Sequence, residues 1–191
     1  MKLLADLLTF LRIVLAAVLV SFVFSSSDPV RFMALPVFLL ASLTDYWDGR
    51  LARRAGGGSA FGAFMDPVAD KVLTLSAFFS FWAIGLLPLW AVCVIAARDI
   101  AVTLMRLRRA KKGHAVNALP GGKQKTVFQM IYISLVLLVI ALRQTHVWSA
   151  AFERIAQAAT HLGIYAIILM TLVSGFEAWR HRHPKGATKG S

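Results

Sequence analysis

Four aspartates at short intervals are the residues of this chain best suited to chemistry. They lie within DYWDGRLARRAGGGSAFGAFMDPVAD, at Asp45, Asp48, Asp66 and Asp70. Residues three or four apart share one face of a helix, so each pair can present its two carboxylates together. Because four like charges repel one another unless cations neutralise them, the pattern predicts a divalent metal site. Carboxylate oxygens suit Mg²⁺ or Mn²⁺, and the sequence has no cluster of His and Cys that would favour zinc.

The elements that must position these carboxylates are apolar helices. Hydrophobic residues make up 58% of the 191 residues and charged residues 16%, which is typical of an integral membrane protein. Six apolar runs, each close to the roughly 20 residues that cross a bilayer core, predict spans at 7–24, 30–44, 72–87, 89–103, 127–142 and 155–179. We therefore expect an all-α integral membrane protein with about six transmembrane helices. Residues 1–180 are predicted to form a single domain, and residues 181–191 a flexible basic tail.

The distribution of basic residues predicts the orientation of the chain. Lys and Arg are concentrated after the second, fourth and sixth spans, whereas the opposite loops hold only Arg31, Arg143 and Arg154. By the positive-inside rule, both termini and both long basic loops face the cytoplasm, and the aspartates lie at the cytoplasmic boundary of the cell (inner) membrane. The net charge of +12 is then a topology signal with an added attraction to anionic membrane lipids. No nucleic-acid partner is expected, because the basic residues adjoin spans rather than form a separate module.

The residues around the aspartates suit a phosphate ligand. Gly49 leaves room for a ligand or a neighbouring backbone, and Arg53 can hold phosphate bidentately one turn further along. A purely structural alternative treats Asp66 as a helix N-cap before Pro67, and Arg53 as a topology charge. Caps and topology charges do not explain four carboxylates facing one another at a membrane boundary, so the set as a whole favours the metal site.

A second group of charges predicts a site for an anionic ligand. Arg98 lies inside the predicted fourth span, and Arg106 follows two helical turns later on roughly the same face. Lys123 and Lys125 lie in GGKQKT, at the start of the fifth span. An arginine within a membrane is costly and indicates an anionic partner. That partner is either a ligand or the neighbouring Asp99, which would then compensate Arg98 structurally.

The aspartate stretch resembles the signature of the CDP-alcohol phosphotransferases, D-x2-D-G-x2-A-R-x8-G-x3-D-x3-D. Every specified position matches, at Asp45, Asp48, Gly49, Ala52, Arg53, Gly62, Asp66 and Asp70. The resemblance implies a six-helix membrane enzyme, usually a homodimer, that displaces CMP from a CDP-linked lipid with the help of divalent metal.

The same resemblance implies a role for each matching residue. The four aspartates would bind two metal ions, Mg²⁺ or Mn²⁺, and Asp70 would also be the general base. The CDP-lipid would be bound by the remaining motif residues together with the second aspartate, namely Asp48, Gly49, Ala52, Arg53 and Gly62.

One branch of the family, the phosphatidylglycerophosphate synthases, is similar beyond the signature. The similarity includes an Arg-acidic pair in the fourth span and the pattern G-K-x-K-T-x-x-Q, present here from Gly122 to Gln129. It implies CDP-diacylglycerol as the donor and glycerol 3-phosphate as the acceptor, whose phosphate would be held by Arg98, Arg106, Lys123 and Lys125.

Two alternatives stay open from the sequence. Within the family, synthases of phosphatidylinositol phosphate, cardiolipin or phosphatidylserine differ in their acceptor. From a different class, a cation transporter could use intramembrane carboxylates to bind the transported ion, although transporter sites usually lie nearer the bilayer midplane.

Overall fold

The computed structural model describes residues 2–54, 60–111, 120–143 and 148–180. Within these ranges, side chains are described except at positions 2–6, 8–9, 45–54, 60–67, 106–107, 109–111, 120–123 and 177–180. The described part of the chain is helical apart from short turns, and its elements in order are α1 (Lys2–Val23), α2 (Asp28–Phe32), α3 (Ala34–Arg54), α4 (Ala60–Ala83), α5 (Leu89–Lys111), α6 (Pro120–Leu142) and α7 (Ala150–Arg180).

Each long helix is long enough to cross a bilayer. The shortest, α3, has 21 residues and the longest, α7, has 31. At about 1.5 Å per residue, 21 residues extend about 31 Å, close to the thickness of the hydrocarbon core. Within the described chain, α6 and α7 contain stretches that are long and apolar enough to cross a membrane, at Gln124–Leu142 and Ala150–Phe176. The prediction of an all-α membrane protein with six long helices is confirmed.

Most of the long helices begin before the predicted apolar spans, and two differences affect the interpretation of the motif helices. The second span was expected to begin at residue 30, but a break at Met33 separates the short α2 from α3. The third apolar span was expected at 72–87, with Asp66 and Asp70 at its start, but α4 begins at Ala60. Asp66 therefore lies inside α4 and is not its N-cap, which removes the capping alternative for this aspartate.

Gly85 followed by Pro88 predicts a sharp turn between the third and fourth spans, and the turn between α4 and α5 forms there. Gly85 has φ +78°, in the left-handed region that favours glycine. The Leu86 N–H donates to Phe81 O at 2.8 Å and the Gly85 N–H to Trp82 O at 2.9 Å, the two bonds of a Schellman motif. This ending of α4 directs α5 back along the bundle.

The helices enclose one apolar core to which every long helix contributes. Its members include fully buried side chains at Leu19, Phe38, Phe78, Ile95, Ile133 and Ile164. Helix α1 packs along both α3 and α4, α6 packs on α7, and α5 contacts α4 and α7. On the outside, α7 exposes large apolar side chains such as Leu162, Leu169 and Phe176, which suit contact with lipid.

Candidate active site

The four motif aspartates lie on two helices that share a neighbour. Asp45 and Asp48 lie in α3, Asp66 and Asp70 lie in α4, and α1 packs against both helices. Of the four, Asp70 has a described side chain, which is 19% exposed, with Oδ2 3.1 Å from Lys71 Nζ. The acidic donor set suits hard divalent cations by its chemistry.

Most side chains of the predicted metal and nucleotide site are not among those that the structure describes. These are the side chains of Asp45, Asp48, Ala52, Arg53 and Asp66, together with the surroundings of Gly49 and Gly62. Among the side chains that are described, no group of three or more His, Cys, Asp or Glu could hold a metal ion. The metal and CDP-lipid roles of these residues stay predictions.

Asp99 on α5 is the centre of a buried charge cluster. Its side chain is 1% exposed, and Oδ1 accepts hydrogen bonds from Lys125 Nζ on α6 and, at 3.2 Å, from Arg98 Nη1. Lys71 Nζ on α4 lies 3.8 Å from Oδ2. Because Lys71 also lies beside Asp70, the cluster connects the motif helix α4 with the predicted acceptor residues.

The structure thus places two of the four predicted acceptor residues together. Arg98 and Lys125 contact the same carboxylate, although they lie on different helices. Asp99 does compensate Arg98, as the structural alternative proposed, yet one carboxylate is shared among three cations. With Asp70 included, the cluster has three positive and two negative groups and so carries one net positive charge, which suits an anionic ligand. The side chains of Arg106 and Lys123 lie outside the description.

Helix α7 also contributes to this site, which the sequence interpretation missed. Arg98 Nη2 donates a hydrogen bond of 2.7 Å to Ser174 Oγ on α7, and Gly175 lies against the Arg98 side chain. The signal available in the sequence was the set of small or polar residues Thr171, Ser174 and Gly175, spaced three and four apart within an apolar helix.

Two further polar side chains are buried, one on α6 and one on α1. Gln129, one turn after Lys125 on α6, is 0% exposed, and neither end of its amide has a hydrogen-bond partner in the described part of the chain. Arg12 on α1 is 1% exposed, on the helix that packs between the two motif helices. Its charge within an apolar run was the available signal, because buried cations in membrane helices commonly serve function.

The fold and the charge cluster together define an all-helical membrane protein with a polar site enclosed among its helices. The sequence matches the family described as CDP-alcohol phosphatidyltransferase over residues 2–181, and the chain belongs to that family.

The names of several relatives point to one branch of the family. The chain is 35% identical over 177 residues to a probable phosphatidylglycerophosphate synthase of Mycobacterium tuberculosis (strain ATCC 25618 / H37Rv), an alignment that covers 91% of this chain and 78% of the relative. It is 37% identical over 152 residues to the CDP-diacylglycerol–glycerol-3-phosphate 3-phosphatidyltransferase of Bacillus subtilis (strain 168), covering 79% and 74%. The enzyme of the same name from Escherichia coli (strain K12) is 34% identical over 140 residues, covering 69% and 74%. These names favour a transferase over the cation transporter.

Proposed function

We propose that this chain transfers the phosphatidyl group of CDP-diacylglycerol to glycerol 3-phosphate and releases CMP. The observation that carries the proposal is the convergence of Arg98 and Lys125 on Asp99, beside the motif residue Asp70 and its neighbour Lys71. Relatives at 34–37% identity are named for this reaction or for the synthase of its product.

The net positive cluster supplies the acceptor site. Guanidinium and ammonium groups bind a phosphomonoester through charge-assisted hydrogen bonds, and Arg98 and Lys125 are buried enough to make such bonds strong. Arg106 and Lys123 complete this site in the proposal. Holding the phosphate here directs the acceptor hydroxyl toward α4, where Asp70 accepts its proton.

The motif residues hold the donor. Asp45, Asp48, Asp66 and Asp70 would bind two Mg²⁺ or Mn²⁺ ions, and Asp48, Gly49, Ala52, Arg53 and Gly62 would bind the cytidine diphosphate part of the lipid. Bound divalent ions supply charge stabilisation to phosphoryl oxygens. The acceptor oxygen forms a bond to the β-phosphorus as the bond from that phosphorus to CMP breaks, and the acceptor proton goes to Asp70.

The setting in the membrane suits these substrates. The acyl chains of donor and product stay in the lipid, whereas glycerol 3-phosphate and CMP are water-soluble. We place the site at the cytoplasmic face of the inner membrane on the distribution of Lys and Arg, and we propose a homodimer from the family resemblance.

The proposal is tested by CMP release from purified protein supplied with CDP-diacylglycerol and Mg²⁺. Glycerol 3-phosphate, inositol 1-phosphate, serine and phosphatidylglycerol are compared as acceptors. We expect release with glycerol 3-phosphate and its loss in Asp70→Asn. If CMP is released with another acceptor but not with glycerol 3-phosphate, the acceptor assignment is overturned. If folded protein releases no CMP with any acceptor, the proposed transferase activity is overturned.

A further inference from the structure

The guanidinium group of Arg98 is held from two sides by different helices. On α5 itself, Nη1 donates to Asp99 Oδ1 at 3.2 Å, and across the bundle Nη2 donates to Ser174 Oγ at 2.7 Å. Because a guanidinium group is planar, two anchored nitrogens determine the orientation of the third. The third, Nε, is buried and has no hydrogen-bond partner among the described residues.

Ser174 is itself oriented by its own helix. Its Oγ donates to Thr171 O at 3.2 Å, and the side chain is 6% exposed. A hydroxyl group has one proton and two lone pairs, so this donation leaves the oxygen available as the acceptor for Arg98. Ser174 therefore provides a hydrogen-bond acceptor of fixed orientation where α7 contacts α5.

Gly175, the next residue, makes room for the stem of Arg98. A Cβ atom at this position would lie 3.4 Å from Arg98 Cγ and 3.7 Å from Nε. An alanine would thus touch the arginine at ordinary van der Waals distance, and a larger side chain would need the space that the arginine occupies. A small residue at position 175 therefore leaves α7 close enough for Ser174 to reach the guanidinium group, and a side chain larger than alanine would not.

We propose that Ser174 and Gly175 are positioning residues that set the orientation of Arg98 toward the phosphate of the acceptor, a role that rests on the function proposed above. Helix α7 then contributes to the acceptor site through Arg98, although its sequence predicted only an apolar membrane span. The ligand class is a phosphomonoester dianion, and neither α7 residue touches it directly.

The experiment measures the KM for glycerol 3-phosphate and the KM for CDP-diacylglycerol separately in the full-length protein. In Ser174→Ala, we expect the KM for glycerol 3-phosphate to rise about five- to ten-fold, as for the loss of one hydrogen bond of typical net strength. The KM for CDP-diacylglycerol should stay within about two-fold of wild type, because the donor is held by α3 and α4. Ser174→Thr keeps the hydroxyl group and should lie nearer to wild type than Ser174→Ala.

Ser134→Ala is the matched control. Ser134 on α6 also donates its hydroxyl proton to a carbonyl one turn back in its own helix, to Met130 O at 2.9 Å. Substitutions of increasing size at position 175 provide a second test. Gly175→Val should raise the KM for glycerol 3-phosphate more than Gly175→Ala does. Since KM is measured on the active fraction, partial misfolding of a variant does not imitate the expected change.

The outcomes separate the two proposals. If wild type releases CMP with glycerol 3-phosphate but Ser174→Ala has the same two KM values as Ser134→Ala, the positioning role is overturned and the proposed function stands. A rise of both KM values together would equally overturn the positioning role. If wild type releases no CMP with any acceptor, the proposed function and the positioning role fall together.

Discussion

Lys125 on α6 donates a hydrogen bond to the carboxylate of Asp99 on α5, and both side chains are almost completely buried. An ion pair enclosed in this way joins two helices and is costly to break, because removal of one partner leaves the other charge buried and uncompensated. The same carboxylate also contacts Arg98 and lies near Lys71, so its loss would leave three cations together.

We therefore expect Asp99→Asn to lower the free energy of unfolding by about 3–5 kcal/mol. Lys125→Met should cost less than this, because Asp99 keeps Arg98 and Lys71 as partners. Chemical denaturation of the protein in detergent measures both, and the double variant completes a thermodynamic cycle. Additive effects of the two substitutions would contradict direct coupling between these side chains.

Removal of divalent metal should abolish the reaction. With EDTA, CMP release is expected to fall to background, and added Mg²⁺ or Mn²⁺ should restore it, because four carboxylates without cations repel one another and leave the phosphates without charge stabilisation. CMP release with glycerol 3-phosphate as acceptor measures both the loss of activity with EDTA and its recovery with added metal. Activity that persists in excess EDTA would count against the metal site.

Gly163 on α7 is required for close packing against α6. An added Cβ atom would lie 2.6 Å and 2.7 Å from two ring carbons of Tyr132. That ring stacks on Phe78 with centroids 6.1 Å apart, and its hydroxyl group donates to Thr160 O at 2.9 Å, so it cannot easily move away. Gly163→Ala should lower the free energy of unfolding by about 1–3 kcal/mol, measured by denaturant titration.

Tyr132→Leu provides the control for this clash. In that background the cost of Gly163→Ala should shrink, because the ring is gone. Gly85→Ala acts by another mechanism, since nothing lies within 4 Å and the cost comes from φ +78°. Its cost should be the same with Tyr132 or Leu at position 132, and an unchanged cost of Gly163→Ala there would refute the steric explanation.

Glu153 connects the beginning of α7 to Arg143, just after α6, and to Trp148. It accepts hydrogen bonds from Arg143 at 2.5 Å and 3.1 Å, from Trp148 Nε1 at 2.8 Å and from Gln157 Nε2 at 2.7 Å. Because the Glu153 and Arg143 side chains are each 30% exposed, water and ions screen this pair, and Glu153→Gln should leave the midpoint of a denaturant titration close to that of wild type.

The same substitution should leave CMP release unchanged. Glu153 lies 21 residues before Ser174 on α7, a distance of about 31 Å along the helix and hence near the other face of the membrane. The test compares kcat and both KM values with wild type. A selective loss of affinity for glycerol 3-phosphate would show that this end of α7 is coupled to the acceptor site.

Patterns that act within one helix could be interpreted from the sequence alone. Apolar runs of sufficient length predicted the six long helices, and Gly85 with Pro88 predicted the turn after α4, because both depend on neighbouring residues. The aspartate motif likewise depends on spacing along two helices, so it identified the family before any packing was known. The start of α4 was misplaced because Asp66 and Pro67 fit the local pattern of a helix start, whereas the helix continues back to Ala60.

Contacts between distant segments required the tertiary structure. Arg98 and Ser174 are 76 positions apart, and Asp99 and Lys125 are 26 apart, so no local periodicity relates them. The sequence indicated that Arg98 was a costly charge in need of a partner, and it assigned Lys125 to the same predicted acceptor site. Only the tertiary structure showed that both cations share the carboxylate of Asp99 and that Ser174 of the apolar helix α7 contacts Arg98. The physical reason is that a buried polar group must be satisfied by polar groups of the helices that pack around it, and the sequence does not specify which helices those are.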